Sequence, residues 1–590
     1  MNNVHPQVPC RRPSWILLVI SLLCAASLRA QDENSSQNTP ADNPPSRVAR
    51  IAYLKGRVDF LRAGLDQWSE AALNFPATTG DRIYTDKGAK AELQIGPYTV
   101  RMWERTDLTI TNLNDEIMQL GLEQGSIRVD VREVSTGETV EVDTPNGALT
   151  LLDRGKYRVD VNPDGNQTVV SVFSGRLQVT GGGASQTLDA SQAVKLTGQD
   201  LVQVESIPMP PPDDFDVWSE ERDLHLKSSK SGQYVNPVTP GFEDLDDYGY
   251  WSEVVDYGPV WFPPVAAGWV PYRFGNWAWI DPWGWTWVEA EPWGFCPFHY
   301  GRWVFIGAAW GWLPGPFVMT PVYAPAFVAF LGGTGFSIGV GAGLVGWFPL
   351  GPREPFFPWY HYSGNYLNVV NVTNIRNVTN ITNITNVTNI NNVHYAYKNI
   401  ATTAVPKQVF SSGQPVAKHV ARVSPQQLAK AQVIPHPAVN PTKQAAMPGK
   451  PVAQPPVHPR PLATARNTAP NRNAAASTRQ PSGLITRNTP PGENTKRVPP
   501  PPSRMPPASP RQFGPPNLIT RAAPPLARVP FTRRLRAMAE HPGRPLEPAQ
   551  VEALREGRPA MPMRDREFPP HLFPIVPMRP AMPAARPARP

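Results

Sequence analysis

The chain has 590 residues, 72 of them proline, and a formal net charge of +8. That length excludes a single hydrophobic core and leaves room for several domains. Of the prolines, 41 lie after residue 400, where aromatic and β-branched residues are too few to offset the entropy of ordering. The charge is also divided: residues 401–590 carry 28 Lys and Arg against 7 Asp and Glu, and residues 1–400 carry 28 against 41. A basic tail on an acidic body suits contact with an anionic cell-wall polymer, an envelope surface or the body itself.

Arg11 and Arg12 precede an apolar run from Trp15 to Leu28 and a small residue, Ala30, the layout of a cleaved export signal over 1–30. The run is too short to span a bilayer comfortably, so no transmembrane helix is expected after cleavage. The expected location is the periplasm or the outside of a bacterial cell. Cleavage leaves Cys296 as the only cysteine, which predicts no internal disulfide. Residues 31–47 read as a polar linker.

From 48 to 200 the pattern has period two, in runs such as "AKAELQI", "YTVRMW", "IMQLGL", "SIRVDV" and "KYRVDV", with turns rich in Gly, Asn and Asp. About a dozen short strands and no helical period predict an all-β domain. The stretches "TTGDRIYTDKGAKAELQIG", "LEQGSIRVDV", "VDTPNGALTLLDRGKYRVDV" and "VVSVFSGRLQV" resemble the periplasmic domain of FecR-type proteins. The resemblance rests on Gly80-Asp81, Thr144-Pro145 and Gly125, Gly147, Gly155 and Gly175. It implies an extracytoplasmic β-domain for protein contact. FecR proteins relay a signal from an outer-membrane receptor to a cytoplasmic sigma factor, from an N-terminal anti-sigma segment where this chain has its export signal. Fold and compartment are therefore carried over as expectations, and a FecR-type signalling sensor stands as the alternative function.

Residues 201–247, with "PPPDDFD" and "FEDLDDYGY", read as a solvated acidic and Pro-rich connector, because neither run has calcium-loop spacing. Fourteen of the 18 tryptophans then lie between 251 and 359. Within 248–366, "WVPYRFGNWAW" from 269 is repeated as "FCPFHYGRWVF" from 295, and "PWGWTWV" from 282 as "AWGWLPG" from 309. Each unit reads as a β-hairpin, the first turning through Asp281, Pro282, Trp283 and Gly284 as a type I turn. Period two aligns the rings on one face, where they either stack on each other as a core or stay open to sugars or polyproline. The candidate stacking residues are Tyr272, Trp277, Trp279, Trp285, Trp287, Tyr300, Trp303 and Trp312. The Pro-rich tail is a candidate ligand for that face. This block, continuing to about 416, is similar to a Trp/Tyr/Gly-rich domain of unknown function that accompanies FecR-like domains in exported bacterial proteins.

From Trp303 to Pro352 there is no charged residue, but the many glycines favour buried strands and turns over a membrane span. Residues 367–399 hold an Asn triplet repeat from Asn371 to Asn389, and its Asn-x-Thr sequons follow from the repeat. Residues 400–590 read as a disordered, basic tail, and export argues against nucleic-acid binding. The sequence has no His-x-x-x-His pair, nucleophile elbow, phosphate loop or Cys pair. His299 and His361 read as packed among aromatics, and no carboxylate pair that could serve a glycosidase is identifiable from the sequence, although Glu289 and Glu291 lie inside the repeats. The overall expectation is a mainly β, exported, non-enzymatic envelope binding or scaffold protein with no cofactor or metal. The other reading is a glycan- or peptidoglycan-binding protein.

Overall fold

A computed structural model describes residues 43–199, 201–333, 336–338, 342–375, 393–457 and 518–558. The export signal, most of the Asn triplet repeat, and residues 458–517 and 559–590 lie outside the described residues. The chain is mainly β, as expected.

Seventeen strands between Ala49 and Ile207 form two hydrogen-bonded layers. Alternation supplies the core. Ile127, Val129, Val159 and Val170 from one layer and Leu120, Val142, Leu149 and Val179 from the other are buried in one cluster. The two runs "IMQLGL" and "SIRVDV", expected as separate strands, are a single 15-residue strand, Ile117–Val131. Its first half pairs with Asp107–Leu113 and, in parallel, with Thr139–Asp143. Its second half pairs with Tyr98–Met102 and Gly155–Val161 in the other layer. The crossing point is Gly125, whose φ is +89° and whose added Cβ would lie 2.4 Å from Thr106 Cα. Gly125→Ala is therefore expected to cost roughly 1–3 kcal/mol, read as a lower midpoint in denaturant unfolding. Gly137→Ala, also at positive φ but with nothing within 4 Å, separates backbone strain from the clash.

The segment 201–247 is not a solvated linker. Its carboxylates cap and dock a helix, α1 (Asp214–Ser228). Asp213 accepts hydrogen bonds from the amides of Phe215 and Asp216, and the Asp216 side chain completes the capping box. Phe215 and Trp218 pack against Trp103, and Trp218 also meets Tyr53, which seats α1 on the β-domain.

The aromatic region builds three small sheets. Gly275–Ile280 and Gly284–Glu289 form the first repeat's hairpin. The second hairpin, Arg302–Ile306 with Ala309–Leu313, joins Gly258–Phe262 and Tyr250–Val254. The first loop is not a type I turn: the Asp281–Pro282 peptide bond is cis, and Ile280 pairs directly with Gly284. The uncharged stretch forms Val328–Gly332 and Ala342–Pro349. Among the described residues no helix is long and apolar enough to cross a membrane.

The third sheet takes strands from beyond residue 400. Thr403–Pro406 pairs with Ala342–Pro349, and Gln432–Ile434 with Val328–Gly332. Structure over 401–457 and 518–558 departs from the expectation of an unfolded tail, because scattered apolar residues, Val405, Phe410, Val416 and Val433 among them, are buried against sheets already formed. The triplet repeat begins inside a helix, α2 (Gly364–Val372). Asn371 is fully buried and bonds the backbone of Phe356 through both its amide oxygen and nitrogen, so its sequon is closed to glycosylation.

Candidate functional site

The eight candidate stacking rings are brought together, but into the core. Tyr272, Trp277, Trp279, Trp285, Trp287, Tyr300, Trp303 and Trp312 are each 4% exposed or less. Register explains this. Trp277 faces Trp287, Trp279 faces Trp285 and Trp303 faces Trp312, so each hairpin presents paired rings. The first hairpin's rings then meet Phe330, Trp347 and Phe410 from the third sheet and the chain beyond 400. The open face required for sugar or polyproline stacking is absent at these positions, because other rings cover it, those just named on the first hairpin and Trp251, Trp269 and Phe298 on the second. Phe410 of the tail meets Trp277 and Trp285, and Trp285 Nε1 also donates to Val439 O at 3.0 Å.

Several buried polar groups in this region are satisfied locally, whereas the indole N–H groups of Trp277 and Trp303 have no hydrogen-bond partner among the described residues. Glu289 accepts from Trp287 Nε1 at 2.9 Å. Burial, partly offset by that bond, raises its carboxyl to about 7. It is hidden from solvent and holds an indole, so it does not face a sugar site. A carboxyl whose folded value lies above its ordinary 4.5 stabilises most below 4.5 and loses that contribution as pH rises to about 7. Glu289→Gln keeps an acceptor for Trp287, so it is expected to flatten that loss. Its denaturant midpoint relative to the parent should rise between pH 5 and 8. His299 is held neutral by burial, at about 3, with Nδ1 2.8 Å from Ala324 O. His361 is partly exposed, 3.9 Å from Glu547, and burial raises the Cys296 thiol. His225, Asp244 and Asp247 bring three potential ligand atoms within 4.8 Å of one another. Asp244, however, is ion-paired with Arg50 at 2.5 Å.

The outer faces of the β-domain carry the chemistry that sequence reasoning missed. Arg101, Arg128 and Arg158 are direct cross-strand neighbours on three adjacent strands, a row of like charges that would repel if left bare. α1 lies along that row. Its Asp216, Glu220 and Asp223, spaced i, i+4 and i+7, share one helical face. Asp216 pairs with Arg128 at 3.1 Å and with Arg158 at 2.7 Å, Glu220 pairs with Arg128, and Asp223 pairs with Arg101 at 2.6 Å. Glu92, opposite Arg101, also receives Arg222 of α1 at 2.8 Å. Burial would raise the Glu92 carboxyl, but the guanidiniums of Arg101 and Arg222 lower it to about 2. Asp130 is raised to about 6 by burial and by the carboxylate of Asp223.

The other layer has a matching row, Gln119, Glu141, Thr150 and Gln178, again cross-strand neighbours. Residues 518–522 lie on it. Ile519 N donates to Thr144 O at 2.9 Å. Glu141 Oε1 accepts from the backbone N–H of Arg521 at 3.1 Å and of Ala522 at 3.0 Å. The Arg521 side chain reaches Gln178 and Thr150. Burial, with Glu141 alongside, raises the Asp143 carboxyl well above its ordinary range. A third segment pairs with the domain's edge: Glu70 N donates to Lys450 O and Val452 N to Trp68 O, each at 2.9 Å.

Residues 81–178 match the FecR protein family and residues 242–354 match a family of unknown function (DUF6600). No curated protein is similar to the chain. Among solved structures, two crystal structures of a protein assigned as an anti-sigma factor from Parabacteroides distasonis ATCC 8503, at 1.65 and 2.50 Å, are similar to it. Identity is 14% and 15%, the TM-score is 0.20 in both, and the match covers 22% of this chain. The chain spans 59% of the length of those proteins. The cross-strand rows of charged and polar residues thus lie within the region that matches the FecR family model, and the two aromatic hairpins lie within the region that matches the DUF6600 model.

Proposed function

We propose that the chain is a non-enzymatic binding or scaffold protein of the bacterial cell envelope that works by holding polypeptide segments on its FecR-like β-domain. The observation that supports this most is the occupancy of both outer faces. A helix lies on the arginine row and an extended segment lies on the Gln119–Gln178 row. Rows of acceptors and charges at strand spacing select a segment by the pattern of its amides and side-chain charges. FecR-like proteins are envelope-associated, in keeping with the export signal read at 1–30.

The FecR match favours a second reading, a signalling sensor. In that case a membrane partner would displace residues 518–522 and take over Glu141. Glycan binding has less support, since the rings proposed for stacking are buried.

A photo-crosslinking residue at Gln178 of the full-length protein tests the proposal. The purified protein should form an internal adduct with the 518–522 region, and cells should yield an additional adduct with an envelope protein. Adducts with polysaccharide alone would count against it.

A further inference from the structure

A cavity of about 240 Å³ lies where the β-domain, the Asp281–Trp283 loop and the segment 528–555 meet. Its lining mixes apolar and charged groups: Trp283, Met538, Leu546 and Val551 supply apolar wall, and Arg528 and Arg534, with Arg47, Arg555 and Asp281, supply charge. Around Arg528 three guanidiniums share two carboxylates. Arg62 pairs with Asp81 at 2.5 Å, and both are almost fully buried. Asp281 is taken by Arg534 and also receives Trp279 Nε1 at 3.2 Å. Arg528 is left with Asp281 at 3.8 Å, beyond hydrogen-bond reach. Its Nη1 and the Nη2 of Arg62 are buried with no hydrogen-bond partner among the described residues. Burial, only partly offset by Asp281, lowers Arg528 to about 10, and Arg62 and Arg534 add repulsion. Arg528 is thus half-buried, with one long carboxylate contact, and its charge is only partly compensated unless a further anion reaches it.

We propose that this cavity binds a small amphipathic anion, with a carboxylate or phosphate head on Arg528 and an apolar body of several carbons against Trp283, Met538, Leu546 and Val551. A bidentate oxyanion suits the planar guanidinium fork. The volume equals roughly eight waters at ~30 Å³ each, enough for a head group plus a short chain or one ring. Bound there, the ligand touches the Asp281–Trp283 loop and the 528–555 segment, in a cavity that Thr78, Thr79 and Leu113 of the β-domain also line. By mass action it stabilises the docked state of the 528–555 segment.

The test uses the full-length protein, with octanoate, octyl phosphate, acetate and octanol as probes at matched ionic strength. The readouts are thermal midpoint, tryptophan fluorescence and protease cleavage within 528–558. Octanoate or octyl phosphate should raise the midpoint saturably and slow cleavage, and the tighter of the two identifies the head group. Acetate and octanol should each bind at least tenfold more weakly. Arg528→Gln removes a repelling charge and is expected to fold, yet to weaken octanoate at least tenfold. Val551→Trp fills the apolar end and should do the same with the charge intact. Octanol binding as tightly as octanoate, or unchanged octanoate affinity in both variants, would overturn the proposal.

Discussion

Replacing Trp277 with alanine is expected to lower stability by about 3–5 kcal/mol, the range for removing a large ring from a core that cannot collapse around the gap. Trp277 is 1% exposed. Its ring lies 5.5 Å from Trp287, 5.2 Å from Phe330, 5.4 Å from Trp347 and 5.5 Å from Phe410. Those partners come from four separate strands or helices, including one beyond residue 400, so the cavity opens at the junction of the domain. Denaturant unfolding followed by circular dichroism measures the loss without relying on tryptophan emission. Phe305→Ala, on a ring 41% exposed, should stay within about 0.5 kcal/mol. Equal effects would mean that the paired rings do not form the core.

Glu92→Gln is expected to cost about 3–5 kcal/mol, because it leaves two guanidiniums short of charge in a buried setting. Glu92 and Arg101 are 2% and 1% exposed and lie 2.8 Å apart. The isosteric change preserves volume, so the loss reports charge and not packing. The parent protein adds a pH signature. A carboxyl lowered from 4.5 to about 2 contributes stability that is complete above 4.5 and is lost as pH falls through about 2, on the order of 3 kcal/mol in all. Between pH 5 and 2 the parent should therefore lose more stability than Glu92→Gln. Parallel pH profiles for the two proteins would show that the arginine row does not depend on Glu92.

Much of the β-architecture is legible because burial in a sheet imposes period two. The alternation that runs through Leu120 and Leu122 resumes out of phase at Ile127 and Val129, because Gly125 turns the strand into the other layer between them. That shift of phase is why one strand reads as two. The eight aromatic residues follow from their spacing, yet alternation reports only that rings share a face. What covers the face comes from distant chain, here Phe330, Trp347 and Phe410. The arginine row leaves no local trace, since Arg101, Arg128 and Arg158 belong to three different strands and meet only through register. Half of that interface is still readable: Asp216, Glu220 and Asp223 follow helical spacing behind the Asp213 cap. Their acidity, which on its own suggests solvation, is the complement of the row.

If the FecR-like β-domain holds polypeptide on its outer faces, the 518–558 segment, added as a separate peptide to the chain ended at residue 457, should bind it in calorimetry. Binding should be saturable and 1:1, and weakened at least tenfold by Glu141→Ala, which removes the acceptor for the Arg521 and Ala522 amides. No binding, or binding indifferent to Glu141, would contradict that role.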